Sequence, residues 1–381
     1  MRKVYSIADN IFSPLGFTTS ENWISLCNNK SAVAPFQSTY EALNYAHASV
    51  FNEEKFASFF SEYYSNLSLA SKLEKMFVAS ISDALRHTSV DASSKRTLFV
   101  YSTTKGNIDL LENKNLNGAD RVKLFDLAEY VTTCFGNPNK PIIISNACIS
   151  GVLAIEVATS LVRRGLYDHI IVTGGDLVSM FTLSGFHCFQ ALSHGVCKPF
   201  DKDRSGVNLG EAAATMVVSS QPSSTDDIEI LSGATANDAN HISGPSRTGE
   251  GLAKAIANAA NIAQMPLENI QYVLAHGTAT TYNDEMEAKA LESSHLSHVP
   301  TNSMKAYYGH TLGAAGIVET IVAMQSMKSN LLLKSWGYEN SGVSTPLNVI
   351  TQNKTTPINY AMKTASGFGG CNAALILKKH D

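Results

Sequence analysis

Cys148 stands where an apolar strand runs straight into a helix, a position from which a thiol can attack a carbonyl. The segment reads Pro141-Ile142-Ile143-Ile144-Ser145-Asn146-Ala147-Cys148-Ile149-Ser150-Gly151. A β-branched run bounded by proline predicts a buried strand, and Ser145 and Asn146 are turn or cap residues. Val152 to Val162 is largely apolar, and Arg163, Arg164 and Gly165 close it as a helix end. A sulfur at the first turn would feel unpaired N–H groups and the positive helix terminus, so the expectation is a thiol shifted toward thiolate. Two histidine segments supply further chemistry. In Ala275-His276-Gly277-Thr278-Ala279-Thr280, His276 follows the predicted strand Tyr272–Leu274, at the strand end where open α/β sheets bind ligands. In Ser303-Met304-Lys305-Ala306-Tyr307-Tyr308-Gly309-His310, Lys305 and His310 precede a Gly/Ala-rich helix that must pack closely against something and that carries Glu319. The loop Ser366-Gly367-Phe368-Gly369-Gly370-Cys371-Asn372 demands tight turns around a bulky phenylalanine.

Strands and helices alternate behind these segments. The pattern predicts strands at Val4–Ala8, Thr97–Ser102, Ile142–Ser145, Ile170–Thr173 and Ala213–Val218, with the longest intervening helix from about Leu67 to His87. Polar, turn-rich Gln221–Asp227 marks a boundary, and the plan restarts at Ile228–Ser232. Helices near Glu250–Ala263, Asn283–Leu291 and Ala314–Met327 and strands at Tyr272–Leu274, Tyr360–Met362 and Ala373–Leu377 follow. The expectation is an α/β protein of two similar halves, 1–222 with the thiol and 223–381 with both histidines and Lys305, without a visible sequence repeat.

With 381 residues, 44% hydrophobic, the chain can bury a large core. A net charge of −4 gives no footprint for nucleic acid or an anionic membrane surface. No apolar run is long enough for a membrane span or signal peptide. The six cysteines are scattered, so the expectation is a cytoplasmic protein without disulfides or a metal site.

Taken in order, these segments resemble the β-ketoacyl-[acyl carrier protein] synthases, the condensing enzymes of fatty-acid and polyketide synthesis. Lys198-Pro199-Phe200-Asp201-Lys202-Asp203-Arg204-Ser205-Gly206, Gly210-Glu211-Ala212, Val172-Thr173-Gly174-Gly175 and Phe189-Gln190-Ala191-Leu192-Ser193 extend the likeness from about residue 95 to the end. The resemblance implies a thiolase-like fold, each half a five-stranded mixed sheet flanked by helices, layered α-β-α-β-α. It implies that Cys148 takes an acyl chain as a thioester and that malonyl on a carrier protein then loses CO₂ and attacks. His276 and His310 would each donate Nε2–H to the extender's thioester oxygen, with Lys305 nearby and paired to Glu319. The backbone N–H groups of Cys148 and Phe368 would form the oxyanion hole. Thr278 and Thr280 would bind the phosphopantetheine arm, and Phe186 and Phe368 would gate the acyl pocket. No cofactor is implied beyond the phosphopantetheine of acyl carrier protein, the expected partner. A homodimer, or a heterodimer with another ketosynthase-like subunit, is expected.

The sequence departs from the family at Ser366, where phenylalanine is usual, and at Cys371, where threonine is usual. Asn10 to about Ser94 matches weakly, and the segment between Asn117 and Pro141, where an elongated apolar acyl cavity would lie, is shortened. Ser102-Thr103-Thr104-Lys105-Gly106-Asn107 looks like synthases of aryl-polyene and flexirubin pathways.

Other readings compete. Degradative thiolases resemble this chain but use a second cysteine as acid/base; here a second histidine and Lys305 favour condensation. A chain-length-factor-like subunit would usually lack Cys148. Synthases that condense coenzyme A primers use asparagine where His310 stands. Asp284 and Glu287 read as loop-packing charges rather than metal ligands. Cys371 reads as a packing residue, and Asp201, Asp203 and Arg204 as an ion-paired turn.

Overall fold

The structure, a computed structural model, describes residues 2–37, 43, 46–112, 119–238 and 244–380. From edge to edge, a continuous sheet runs Thr301–Asn302, Tyr272–Leu274, Tyr360–Gly367, Cys371–Lys379, Ile228–Asn237, Tyr5–Phe12, Ala212–Ser219, His169–Asp176, Thr97–Ser102, Ile142–Ile144. Only Tyr5↔Glu229 and Ser6↔Ile228 pair across its middle, so it divides into two five-stranded sheets. Each half repeats one plan. Three parallel strands at the outer edge are followed by two antiparallel ones: Ile142–Ile144, Thr97–Ser102, His169–Asp176, Ala212–Ser219, Tyr5–Phe12 in the first half. Thr301–Asn302, Tyr272–Leu274, Tyr360–Gly367, Cys371–Lys379, Ile228–Asn237 have the same order and sense in the second. The duplication is thus present in topology though invisible as a sequence repeat.

Helices fill the layers around the sheets. Lys72–Arg86 covers the outer face of the first sheet. Ser71 and Glu74 form a capping box at its start, and Leu73, Met76, Phe77, Ile81 and Ala84 are buried. Glu250–Ala263 covers the second sheet in the same way. The central layer holds Ser150–Arg163 and Ala315–Ser329, which touch each other and strands of both halves. Ala315–Ser329 is buried almost all round, as a helix sandwiched between sheets must be.

The two central helices meet at glycines. A Cβ on Gly316 would lie 2.3 Å from the Val152 nitrogen, and one on Gly151 would lie 2.9 Å from the Gly316 Cα. Backbone on both sides leaves no flexible atom to give way. The sequence's Gly/Ala-rich helix therefore packs against the helix that follows Cys148.

Several sequence expectations need adjustment. Helix Lys72–Arg86 starts five residues later than Leu67, because Ser71 caps it and Ser65–Leu67 forms a separate turn. Helices Thr19–Cys27, Glu53–Tyr63, Leu124–Cys134 and Met180–Cys188 and strand Thr301–Asn302 were not anticipated. Strand Thr97–Ser102 is paired on both sides, so the outer edge of the first sheet is Ile142–Ile144. Among the described residues, the Lys198–Gly206 turn forms no ion pair. The Asp201 carboxylate accepts from the amides of Glu339, Asn340 and Asp203, while Arg204 donates to the carbonyls of Asp201, Gly342 and Thr281.

The glycine crossing yields a direct prediction. Gly316→Ala gains helix propensity of about 1 kcal/mol but forces a methyl into backbone. Overpacking of this kind costs about 1–3 kcal/mol, so we expect a net loss in urea unfolding and a larger loss of activity, since the crossing sets the distance between the two halves' side chains.

Candidate active site

The strand Ile142–Ile144 delivers the chain to Cys148 through a sharp turn. Ala147 adopts φ +44°, a left-handed conformation unusual for a residue with a Cβ. Ser150 fixes the turn, accepting from the Asn146 N–H at 2.8 Å and donating to the Ala147 carbonyl at 2.6 Å. Helix Ser150–Arg163 begins two residues beyond Cys148, with Ile149 as its N-cap. Cys148 is 8% exposed. Burial pushes its thiol up to about 12, against the downward pull of the Lys305 and Lys105 ammonium groups and the Phe368 backbone N–H directed at it. This corrects the expected shift toward thiolate. Removal from water outweighs the nearby cations, and the resting site holds a protonated thiol.

His276 and His310 come from the other half and meet Cys148 in a closed group. One donor atom from each of the three lies within 4.8 Å of the others. The imidazoles face each other edge-on, with centroids 5.3 Å apart. Burial and the neighbouring Lys305 and Lys363 hold both imidazoles well below the ordinary histidine value, so both are neutral at pH 7. The Leu312 N–H donates to His310 Nδ1 at 3.3 Å, which leaves the proton on Nε2. Among the described residues Nδ1 of His276 is buried without a partner, so no hydrogen bond from them selects its tautomer. Such a trio also has the spacing of metal ligands, but the surroundings do not fit an ion. Metal-bound imidazoles lean on an outer acceptor; here one Nδ1 has none, the other accepts rather than donates, and buried lysines stand behind both.

The loops that carry these groups are held by buried carboxylates. Glu287 accepts from the N–H groups of His276 and Gly277, each at 2.8 Å. Asp284 accepts from the amides of Thr278, Ala279 and Phe200. Both are committed to the backbone, as loop-packing charges would be. Lys305 is fully buried and ion-paired with Glu319. The second carboxylate oxygen of Glu319 faces Lys363 at 2.7 Å, a residue the sequence reading missed. Its signal was a single lysine in an otherwise small and apolar interior strand. Asp176 was missed too. It accepts from Thr103 Oγ1 and the amides of Thr104, Lys105 and Gly313, tying the Thr103–Lys105 loop to the turn after His310.

A cavity of about 400 Å³ opens over the trio. Phe186 and Phe368 both line it, with ring centroids 5.7 Å apart, and Phe189 packs on Phe368 at 5.2 Å. Thr278 and Thr280 line its outer part and share a 2.8 Å hydrogen bond. Ser366 also lines the cavity and donates to Asn372 at 2.8 Å. The sequence placed an acyl cavity against the Asn117–Pro141 segment. Asn117 lies outside the described residues, and no residue of 121–141 lines this cavity, which is lined on its outer side by Thr280 and Tyr282. Cys371 touches the Phe368 carbonyl at 3.3 Å and does not line the cavity.

Duplicated halves of this strand order, with a thiol at their shared centre, define a thiolase-like protein. Residues 1–223 match the β-ketoacyl synthase N-terminal domain and residues 228–339 the C-terminal domain. The chain belongs to the β-ketoacyl synthase family. It is 32% identical to 3-oxoacyl-[acyl-carrier-protein] synthase 2 of Staphylococcus aureus over 250 residues, 62% of this chain and 60% of that one. It is 31% identical to the protein of the same name from Rhizobium meliloti over 261 residues, 64% of this chain and 61% of that one. The match thus spans about three-fifths of these curated relatives. Among solved structures, the ishigamide ketosynthase/chain length factor superposes with a TM-score of 0.91 at 23% identity over all of both chains. A ketosynthase in complex with its chain length factor from Xenorhabdus doucetiae gives 0.85 at 22% identity, covering 99% of this chain and 98% of that one.

A raised thiol pKa is measurable. Only the thiolate alkylates, and the thiolate fraction grows tenfold per pH unit below the pKa. Iodoacetamide labelling of Cys148, followed by peptide mass spectrometry, is therefore expected to accelerate steadily between about pH 7 and pH 9.5. A plateau above the ordinary thiol value of about 8.5 would contradict the burial argument.

Proposed function

We propose that the protein is a 3-oxoacyl-[acyl carrier protein] synthase that transfers an acyl chain to Cys148 and then performs a decarboxylative Claisen condensation with malonyl-[acyl carrier protein]. The observation that carries this reading is the meeting of a buried thiol from one half with two neutral imidazoles from the other. In the first half-reaction the Cys148 sulfur attacks the acyl-thioester carbonyl, its proton passes to the departing pantetheine thiol, and the new thioester forms. The N–H groups of Cys148 and Phe368 receive the developing oxyanion. In the second, the malonyl carboxylate leaves as CO₂, and its bonding pair becomes an enolate. N–H donors of His276 and His310 stabilise that enolate oxygen, and the enolate carbon attacks the Cys148 thioester, expelling the sulfur as a thiolate that takes a proton from solvent to restore the resting thiol. Neutral imidazoles suit this task, since a donor that stays put stabilises the charge as it appears. Lys305, held by Glu319, adds positive charge beside them.

Thr278 and Thr280 line the outer cavity where a phosphopantetheine arm would thread, so the arm reaches the thiol past Phe186 and Phe368. No resident cofactor is needed in this scheme. We read the chain as two halves, 1–222 supplying the nucleophile and 223–381 supplying the imidazoles and Lys305. Its partners are acyl carrier protein and a second ketosynthase-like subunit, identical or chain-length-factor-like, paired through the edge strand Ile142–Ile144. No described helix is long and apolar enough to cross a membrane, in keeping with a cytoplasmic place of action. Ser366 in place of a bulkier residue leaves room beside Phe368 for stiff, unsaturated acyl groups of the aryl-polyene kind.

The half-reactions separate by mutation. Cys148→Gln is expected to abolish acyl transfer and condensation while still decarboxylating malonyl-carrier protein. His310→Ala is expected to lose decarboxylation by roughly 10²–10³-fold while Cys148 can still be acylated; decarboxylation at the wild-type rate would remove His310 from this role. In a competition between saturated and conjugated polyenoyl primers on one carrier protein, we expect polyenoyl chains to be accepted. Their rejection would place the enzyme in ordinary chain elongation.

A further inference from the structure

Lys363 belongs to none of the motifs that marked the site, yet it is fully buried behind it. It sits on strand Tyr360–Gly367 opposite Leu274, in parallel register with the strand that leads to His276. Its ammonium group lies 2.7 Å from Glu319 Oε2, while Lys305 takes Oε1 of the same carboxylate. It also donates to the Ala275 carbonyl at 3.3 Å and to that of Thr364. The Ala275 carbonyl and the His276 N–H are the two poles of one peptide unit. Glu287 Oε1 accepts from that N–H at 2.8 Å and is itself held by the Thr364 hydroxyl at 2.7 Å. Adjacent residues of one strand thus secure both poles of the peptide that carries His276: a cation on its oxygen, and a carboxylate on its N–H.

A buried lysine is costly unless paired and hydrogen-bonded. An ordinary apolar residue at this interior position would fill the space without that cost, so a role in the site accounts for the cation better than packing does. Resting on the condensing-enzyme reading, we infer that Lys363 is a positioning residue: it orients the His276 peptide unit and shares Glu319 with Lys305, placing a second cation behind the two imidazoles. The groups that face it are Glu319 and Lys305, Glu287 from helix Thr281–Ser293, both imidazoles, and Tyr272 beyond Glu319. Glu287 offsets part of the excess charge from the far side, but its oxygens are committed to the amides of His276 and Gly277. Burial, and after it the opposition of the two ammonium groups to a further positive charge, hold His276 and His310 well below the ordinary histidine value.

The test reads the imidazoles directly, with histidine-selective isotope labelling and NMR titration of the full chain. In the wild type, both His276 and His310 are expected to titrate well below the ordinary histidine value of about 6.5. In Lys363→Gln, which keeps a donor but removes the charge, the His276 transition is expected to rise measurably above that of the wild type. Lys363→Met, lacking the donor too, is expected to lower kcat for malonyl-carrier decarboxylation roughly tenfold to hundredfold with KM nearly unchanged. A folded Lys363→Gln protein whose imidazoles titrate as in the wild type overturns the inference. If neither variant folds, Lys363→Arg, which keeps the cation but changes its reach, decides: kcat for decarboxylation lowered with KM nearly unchanged supports the inference, and wild-type kcat overturns it. A protein that never decarboxylates malonyl-carrier protein would sink the condensing reading, while the titrations would still report on Lys363.

Discussion

The site exists because two helices from opposite halves touch backbone to backbone. Gly151 lies one residue inside the helix that follows Cys148, and Gly316 lies one residue inside the helix that follows His310. Their contact brings the amino ends of both helices to one point, and with them the thiol, the imidazole and the glycine turn around Gly313. Any side chain at the crossing would spread the helices and draw the thiol away from the imidazoles. The sheets on either side, the Asp176 hydrogen bonds to the Gly313 turn, and the Ser102 hydroxyl donating to the Gly313 carbonyl all reinforce this one approach.

The electrostatics follow from the same closeness. Reactive groups assembled in a layer between two sheets are removed from water, so each must be held neutral or paired. The structure does both. The thiol and the imidazoles are neutral, and the charged groups behind them form a chain from Lys305 through Glu319 to Lys363. Glu287 and Asp284 spend their oxygens on loop amides, which keeps the His276–Ala279 backbone fixed. The resulting centre carries donors and cations in place before any negative charge forms on a bound molecule.

Much of this was legible in the residues. Cys148, His276, Lys305, Glu319 and His310 stand in motifs whose small-residue surroundings betray close packing, and the strands Thr97–Ser102 and Tyr272–Leu274 and the helix Glu250–Ala263 fell where their patterns placed them. What stayed hidden depended on long-range geometry. Thr301–Asn302 is too short and polar to announce a strand. Helix Glu53–Tyr63 fully buries only Phe56 and Phe60, while its Phe59 is half-buried and its Tyr63 exposed, which blurs the apolar stripe. Lys363 looks like an ordinary strand residue until Glu319 is placed against it. The thiol's direction was misread because the helix end is local and visible in sequence, whereas burial comes from residues more than a hundred positions away.

The middle of the sheet has a consequence for how the chain is made. Tyr5–Phe12 lies between Ala212–Ser219 and Ile228–Asn237, strands synthesised some two hundred residues later. At roughly 5–20 residues per second on the ribosome, its apolar edge waits on the order of 10–40 s for a partner. That strand is therefore one a nascent-chain chaperone has reason to shield, and because Ile11 and Phe12 end fully buried, substituting them should lower the yield of soluble chain in cells as well as the stability of the finished protein.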